Sequence, residues 1–450
     1  MDQPRLLPEL EAQQRKAIPP TRPQEARVIR AVHGQVEWLP CDLEVMVPED
    51  HPARAIWGLV EHLDLRAFYG DIAAVADGPG RPASDPKVLL ALWLLATVEG
   101  VGSARHLDRL CELHLAYRWL CGGVPVNYHL LADFRVAHEA ELDQVLTQII
   151  ASLMASGAVT LQAVAQDGMK VRASAGAASF RRRERLETCL AEAQAQVLRL
   201  KAEREHPDPG VNRRQQAARE RAVREREVRV RQALEHLATV EVVKARQRAK
   251  KGTPQAGKVK AARASTTDPE ARVMKLADGG FRPALNLQLV TDVGSGVIVG
   301  VAAVNGEDAG QAGVLEQQVE DRTGRRPDVY LMDGGFAQRE DLTLLTQRGL
   351  TVYAPVKASK NDVVDPVARY RPHERDTPEV VAWRARMATP EAQGIYRQRA
   401  ATAEWANAQV RKHGLGQQLT VRGLRNTTSV LLLAAIAHNL LRWAALTVTA

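Results

Sequence analysis

Two aspartates stand where apolar stretches of the chain give way to glycine. Asp167 follows AVTLQAVAQ and precedes Gly168, and Asp333 follows VYLM and precedes two glycines. Paired carboxylates are hard oxygen ligands, and with room left for water and phosphate they suit Mg²⁺ or Mn²⁺ rather than zinc. An aspartate at a strand end is, by itself, usually a turn former. The pair therefore indicates phosphoryl-transfer chemistry only if the fold brings the two side chains together.

A third candidate group lies in IYRQRAATAEWANAQVRKHGL, residues 395–415. At about 100° per residue, an α-helix places Arg397, Glu404 and Arg411, which are seven apart, on one face. Two cations would then flank a carboxylate. A surface helix with ordinary ion pairs explains the same spacing when this stretch is considered alone.

The apolar pattern around the two aspartates predicts a mixed α/β sheet. Strands are expected at 158–167, 283–292 and 296–305, and VGSG forms the hairpin turn between the last two. A helix, the strand VYLMD, a second helix and the strand TVYAPV follow. Ligands of α/β sheets collect beyond the carboxyl ends of the strands, so neighbouring strands would bring Asp167 and Asp333 together there.

The rest of the chain divides into three further regions. Residues 1–45 contain six prolines and are expected to form an N-terminal arm. Helical periodicity over 46–157 predicts a compact all-α domain, which suits either DNA binding of the helix-turn-helix type or dimerisation. The α/β sheet domain would comprise 158–176 and 266–450, interrupted by an insertion at 177–265.

The insertion is expected to be a basic coiled hairpin of two antiparallel helices separated by the breaker HPDPG. Residues 181–263 carry 23 Lys and Arg against 11 Asp and Glu, a net charge of +12, whereas the whole chain carries +8. The remaining residues therefore sum to −4. Such a segment favours an arm that contacts DNA through phosphate charge, with a merely solvated charged arm as the alternative.

Composition excludes several other classes of protein. The four cysteines form no C-x-x-C pair, so neither a structural zinc site nor a disulfide framework is expected. The N-terminus is polar, unlike a signal peptide, and the apolar run from Val430 is interrupted by polar residues before it reaches spanning length. A soluble protein of the cytoplasm is the expectation.

The order of the predicted elements resembles the ribonuclease-H-like catalytic core of bacterial insertion-sequence transposases of the DDE class. In that class the first carboxylate ends the first strand, the second follows the fourth strand, and a glutamate lies on a late helix. Asp167, Asp333 and Glu404 match these positions in order. The helical block that begins GRPASDPKVLLALWLL also resembles the N-terminal domain of this group, so the similarity covers roughly residues 50–445.

The resemblance implies a transposase that cleaves DNA and joins strands at the ends of its own insertion sequence. Asp167, Asp333 and Glu404 would be catalytic and would bind two Mg²⁺ or Mn²⁺ ions. The expected partners are double-stranded DNA, which includes the terminal inverted repeats and the target, and a second copy of the chain that forms a homodimer on DNA. The expected location is the bacterial cytoplasm at the nucleoid, and no membrane contact is expected. The candidate phosphate contacts are Lys170, Arg397, Arg399, Arg411 and Lys412.

Two alternatives remain open from sequence: a non-catalytic DNA-binding or regulatory descendant, and a metal-dependent nuclease. The chain also departs from a widespread signature of the group, Y-x-x-R-x-x-x-E. Counted from Tyr396 and Arg399, the signature places glutamate at position 403, where this chain has Ala403, and Glu404 comes one residue later.

Other polar residues of this half receive structural interpretations. Asp292 is expected to be a turn residue, Glu307 and Asp308 to cap the helix that follows them, and His438 to be a core histidine. Gly334 and Gly335 are expected to leave space for a DNA phosphate beside Asp333.

Overall fold

The computed structural model describes residues 42–70, 72–74, 82–205, 213–251, 261–306, 308–357, 365, 367–416 and 418–448. Residues 1–41 of the predicted N-terminal arm, which include Cys41, lie outside the described residues. The breaker at 206–210 and Glu307 lie outside them as well. From Leu43 onward the chain forms one compact unit. The hydrophobic core is continuous from the N-terminal helices into the sheet.

The N-terminal region is helical, as its periodicity predicts. Its longest run of buried residues is in the helix PKVLLALWLLATV, where every residue from Val88 to Thr97 is buried. A helix that is apolar on all sides belongs in a core and cannot enter a DNA groove. The helices are α1 Leu43–Met46, α2 Pro52–His62, α3 Arg66–Tyr69, α4 Pro86–Val98, α5 Ala104–Leu113, α6 Leu115–Cys121, α7 Tyr128–Ala137 and α8 Glu139–Ala155.

The part of the chain after α8, apart from the insertion, is built on a six-stranded mixed sheet of the ribonuclease-H-like type. Its order is β4-β5-β1-β7-β8, and β6 pairs with β5 on the same side as β4. The pairs β5–β1, β4–β5 and β5–β6 are antiparallel, whereas β1–β7 and β7–β8 are parallel. The strands are β1 Ala163–Arg172, β4 Arg272–Lys275, β5 Phe281–Asp292, β6 Ile298–Val304, β7 Val329–Met332 and β8 Thr351–Tyr353.

The first strand corrects one prediction from the sequence. It runs from Ala163 to Arg172, so Asp167 lies in its middle and does not end it. The reason is that β5 continues to pair with β1 as far as Arg172, whereas the parallel partner β7 stops opposite Gln166. Asp167 therefore stands where the parallel ladder ends, inside a strand that continues.

Helices cover the sheet and close the chain. They are α11 Ala312–Thr323, α12 Arg339–Gln347, α13 Pro378–Met387, α14 Pro390–Arg399, α15 Trp405–Val410 and α16 Leu424–Val448. Helix α16 is long and apolar enough to cross a membrane by composition alone. However, 56% of its most apolar window is buried, and it packs against α4, α7, α8 and β6. It is accordingly a core helix shared by the two halves of the chain.

The insertion forms the predicted helical hairpin, from α9 Arg183–Glu205 and α10 Arg213–Lys251. Ion pairs join Arg183 to Glu241 and Glu192 to Arg226, which requires the two helices to run antiparallel. A small apolar seam of Leu186, Ala233, Leu237 and Ala264 holds its base. There, β2 Phe180–Arg181 pairs with β3 Ala264–Ser265, which joins the two ends of the hairpin.

Asn439 on α16 satisfies the backbone of the edge strand β6. Its side chain accepts a hydrogen bond from the N–H of Ile298 and donates one to the C=O of the same residue, both at 2.8 Å, and it is fully buried. Replacing Asn439 by leucine would leave two buried backbone groups unpaired.

We expect Asn439→Leu to lower the free energy of unfolding by on the order of 3 kcal/mol, because each unsatisfied buried group costs about 1 to 3 kcal/mol. Chemical denaturation measures this. Asn426→Leu on the same helix is the matched control, since the side chain of Asn426 donates to the C=O of Arg422, four residues earlier in the chain. Equal loss in the two variants would contradict the assignment.

Candidate active site

The pairing of β1 with β7 brings the two predicted aspartates together. Gln166 pairs with Met332, so Asp167 and Asp333 occupy the next position on each chain segment. Burial is the main cause of the raised pKa of Asp167, and the negative charge of Asp333 raises this pKa further because the two carboxylates are close enough to interact. The prediction that the fold would bring these two residues to one place is in agreement with this register.

Asp333 begins the turn that follows β7. Its Oδ1 accepts a hydrogen bond from the N–H of Gly335 at 2.8 Å, and its C=O accepts one from the N–H of Phe336 at 3.0 Å. Such a side-chain-to-backbone bond two residues onward is the ordinary reason for aspartate in a turn. The bond also fixes the orientation of the Asp333 carboxylate through Oδ1, and Oδ2 takes no part in it.

Arg399 connects the first aspartate to the late helix. Its Nη2 donates to Oδ1 of Asp167 at 2.7 Å, and its Nη1 lies 3.7 Å from Oε1 of Glu404. The Arg399 side chain is 9% exposed and that of Asp167 is 16% exposed, whereas that of Glu404 is 63% exposed. One guanidinium thus joins two of the three candidate carboxylates.

A π-helical turn explains the late position of the glutamate. Residues Ala400–Glu404 form a π turn between α14 and α15, and Arg411–Leu415 form a second one after α15. In a π turn the repeat is i to i+5, so Arg399 and Glu404, five apart, lie on one face. The one-residue departure from the group's signature is accommodated by this wider turn. Ala403, at the position that the signature assigns to glutamate, is instead buried.

The π turns bear on the arginines that were predicted for this helix. The arginine that contacts Asp167 and Glu404 is Arg399. Arg397 and Arg411 are exposed, as are Lys412 and Lys170. The common face of Arg397, Glu404 and Arg411 stays a prediction, since the 100° per residue on which it rests does not hold across a π turn. Of the five predicted phosphate contacts, Arg399 alone touches an acidic residue of the site in the described part of the chain.

Asn407 and Tyr396 complete the surroundings of Asp167. The Nδ2 of Asn407 donates to Oδ2 of Asp167 at 2.9 Å. Burial raises the pKa of Tyr396, whose hydroxyl is close enough to Arg399, Asp333 and Asp167 to respond to their charges. Asn407 was not predicted from the sequence, although its position three residues after Glu404 is a helical neighbour position that offered a signal.

Burial raises the pKa of Asp167, and the charges of Asp333 and Glu404 add to this. Arg399 and the N–H of Gly168 act in the opposite direction. Several carboxylates close together disfavour full ionisation unless a cation compensates them. Arg399 is the cation that does so in this arrangement.

The donor set suits a hard divalent cation. It consists of carboxylate oxygens and of Oδ1 of Asn407, which is buried and has no hydrogen-bond partner within the described residues. As they stand, however, no three Asp, Glu, His or Cys side chains of the described residues converge to hold a metal ion. Arg399, which contacts both Asp167 and Glu404, supplies a positive charge between them.

The remaining polar residues were interpreted from sequence with mixed success. Asp292 is a turn residue as predicted, since its Oδ2 accepts from the N–H and Oγ of Ser295 at 2.9 and 2.7 Å. His438 is a buried core histidine, as predicted. Burial lowers its pKa to about 4, and its Nε2 lies 2.9 Å from the C=O of Gly296. Asp308 does not cap α11; its Oδ1 accepts bonds from Asn286 and Gln288 on β5.

The two glycines after Asp333 differ in their surroundings. A Cβ on Gly334 would make an ordinary 3.4 Å contact with Pro355, whereas a Cβ on Gly335 would lie 3.1 Å from Oδ2 of Asp308. The room for a DNA phosphate beside Asp333 stays a prediction. The alternation LNLQL in β5 places Asn286 and Gln288, which donate to Asp308, on one face of an otherwise apolar strand.

Comparison with known protein families agrees with this geometry. Residues 41–137 match the family described as Transposase domain (DUF772), and residues 252–440 match Transposase DDE domain. The second match includes Asp333 and Glu404 and begins after Asp167. No curated protein and no solved structure gives a significant match.

The strand order and the acidic residues beside β1 and β7 define a ribonuclease-H-like domain preceded by transposase-type helices. The two matches together span most of the chain. The chain belongs to the DDE-type transposases of insertion sequences.

If Arg399 takes the place of a cation, its removal should make the protein depend on one. We expect Arg399→Met to lower the free energy of unfolding in metal-free buffer by roughly 3 kcal/mol, because a largely buried carboxylate loses its partner. We also expect added Mn²⁺ to raise the Tm of this variant more than that of the wild type. Scanning calorimetry with and without Mn²⁺ measures both effects.

The control for this experiment is Arg397→Met, which removes an exposed arginine two residues away. It should leave both the metal-free Tm and the Mn²⁺ shift close to the wild-type values. An identical Mn²⁺ shift in all three proteins would refute the view that Arg399 compensates the acidic residues.

Proposed function

We propose that the chain catalyses divalent-metal-dependent cleavage and strand transfer of DNA at the ends of its own insertion sequence. The observation that carries the proposal is the placement of Asp167 and Asp333 side by side, with Glu404 linked to Asp167 through Arg399. A binding protein has no need of three carboxylates in one region, whereas phosphoryl transfer through divalent cations uses such a set.

Divalent ions, Mg²⁺ or Mn²⁺, would supply an activated water or 3′-hydroxyl and stabilise the leaving oxygen. Asp167, Asp333 and Glu404 would hold these ions, and Oδ1 of Asn407 is a further oxygen donor beside them. Arg399, once released from the carboxylates, presents a planar guanidinium that suits phosphate oxygens. Asp333 is held ready for this role by its bond from Gly335.

The substrate of this reaction is double-stranded DNA, and two element ends must be engaged together. A homodimer on DNA meets that need, because each copy brings one site. The bacterial cytoplasm, where the element's DNA lies, is the proposed compartment. Lys170, Arg397, Arg411 and Lys412 are exposed and are proposed contacts to the DNA backbone.

We expect Asp333→Asn and Glu404→Ala each to reduce joined products by at least about 100-fold while DNA affinity stays within roughly twofold of the wild type. The assay is excision and reinsertion from a plasmid that carries the element with its native flanking DNA, together with filter binding. Asp321→Asn, an exposed aspartate on α11, is the control and should retain full joining.

The same assay distinguishes the proposed function from its rivals. Cleaved but unjoined DNA from the wild type would identify a metal-dependent nuclease. Bound but uncut DNA would identify a non-catalytic DNA-binding or regulatory descendant. Joining that survives Glu404→Ala would show that the third ligand is another residue.

The hairpin of α9 and α10 is proposed to hold DNA through its phosphates. Its segment carries a net charge of +12, and Arg219, Arg221 and Arg246 of α10 are exposed. Ion pairs within the hairpin, such as Arg231 with Glu227, already engage some of its charge. The exposed arginines are accordingly the ones to test.

We expect the triple change Arg219→Gln, Arg221→Gln and Arg246→Gln to flatten the salt dependence of DNA binding. The logarithmic slope should fall by about 0.9 for each DNA phosphate that the variant no longer neutralises. The control exchanges the charges of one pair, Glu227→Arg with Arg231→Glu, and leaves the net charge unchanged. Titrations over a range of salt concentrations measure the slope, and an unchanged slope in the triple variant would remove the hairpin from the DNA interface.

A further inference from the structure

Asp308 lies against the glycine that follows the first catalytic aspartate. A Cβ added to Gly168 would fall 2.6 Å from Oδ1 of Asp308 and 2.6 Å from Nε2 of Gln288. Atoms do not approach so closely without displacement, so the carboxylate fills the space that a side chain at position 168 would need. Successive residues of a strand face opposite sides of the sheet. Asp308 therefore supports β1 from the face opposite to the one on which Asp167 meets Arg399.

The same carboxylate lies against the turn that carries the second aspartate. A Cβ on Gly335 would be 3.1 Å from Oδ2 of Asp308, 3.6 Å from its Cβ and 3.8 Å from its Cγ. Gly335 donates to Oδ1 of Asp333, so this turn and that carboxylate are held as one unit. One side chain, Asp308, is thus wedged between the backbone beside Asp167 and the backbone beside Asp333.

Buried amides hold Asp308 in place. Nδ2 of Asn286 and Nε2 of Gln288 each donate to its Oδ1 at 2.8 Å, and both amide side chains are fully buried. Gln288 in turn accepts a bond from Gln166, which accepts one from the hydroxyl of Tyr330 on β7. The polar network therefore links β5, β1 and β7 beneath the site.

A second observation concerns the side-chain oxygen of Asn286, which lies beside Gly168 as Asp308 does. Oδ1 of Asn286 is buried, has no hydrogen-bond partner within the described residues, and lies 3.1 Å from the Cβ position of Gly168. Buried acceptors without partners are costly and are found where a structure stores a constraint. Here the constraint is the close approach of Asn286, Gln288 and Asp308 to one glycine.

We propose that Asp308 is a positioning residue of the DDE site, which sets the separation between the backbones that carry Asp167 and Asp333. This inference rests on the proposed function, because that separation matters only if the two carboxylates share divalent ions. Groups that orient metal ligands contribute strongly to metal affinity, and their loss typically costs 10- to 100-fold. Asp308 acts through shape and hydrogen bonding, so an amide of the same shape replaces it.

The first experiment compares Asp308→Ala with Asp308→Asn in the full chain. Isothermal titration calorimetry with Mn²⁺, in the absence of DNA, measures metal affinity, and the joining assay measures activity. We expect Asp308→Ala to weaken Mn²⁺ binding by about tenfold or more. Asp308→Asn, whose Oδ1 accepts the same two bonds, should stay within about threefold of the wild type and restore joining.

The second experiment tests the wedge itself, without reference to activity. Gly335→Ala should lower the Tm by a few degrees, and the loss should shrink when Asp308→Ala is present as well, because the two changes act on the same pair of touching groups. Gly334→Ala is the matched control in the same turn, since its Cβ would make only an ordinary 3.4 Å contact with Pro355.

The outcomes separate this inference from the function on which it rests. A wild type that binds no Mn²⁺ and joins no DNA overturns the proposed function. If the wild type binds Mn²⁺, equal loss in Asp308→Ala and Asp308→Asn makes Asp308 a charged ligand and overturns the positioning role. Mn²⁺ binding unchanged by Asp308→Ala overturns it too, and so do additive Tm losses in the double variant.

Discussion

The parallel pairing of β1 with β7 is the constraint on which the site depends. Four residue pairs, from Ala163 with Val329 to Gln166 with Met332, fix the register. A shift of one residue would move one aspartate to the other face of the sheet. Because β5 continues along β1 after β7 has ended, Asp167 keeps a rigid backbone at the point where the parallel ladder opens. Beyond Gln166, β7 no longer pairs with β1, and the carboxylates of Asp167 and Asp333 have room to approach each other there.

Arg399 and the π turn form the second level of organisation. The sheet delivers two negative charges, and the late helix delivers a third together with the arginine that compensates them. A regular α-helix repeats every 3.6 residues, so a five-residue spacing between Arg399 and Glu404 would turn these side chains away from each other. The wider π turn brings the side chains of Arg399 and Glu404 back to the same face of the helix. Such turns are frequent at functional sites.

The elements could be predicted from sequence where local pattern decides them. Strands β5 to β8 follow the apolar runs, and α11 ends at Gly324 in a left-handed conformation, as its sequence indicates. The pattern failed where a distant partner decides. The extent of β1 is set by β5, more than 100 residues away, and the side chain of Asp308 is oriented by amides of another strand. Asp167, Asp333 and Glu404 can be proposed from their order along the chain, whereas the contact of Arg399 with both Asp167 and Glu404 depends on the π turn.

Because α16 packs against both the N-terminal helices and the sheet, its contacts affect the order in which the parts of the protein fold. The last described helix packs against α4, α7 and α8, which are made several hundred residues earlier. During synthesis part of the apolar surface of those early helices stays uncovered until α16 has been made, since contacts of such long sequence separation form late. A polypeptide halted before α16 would lack the helix that joins its two halves. Such a product would keep part of the apolar surfaces of α4, α7 and α8 exposed, which favours its aggregation.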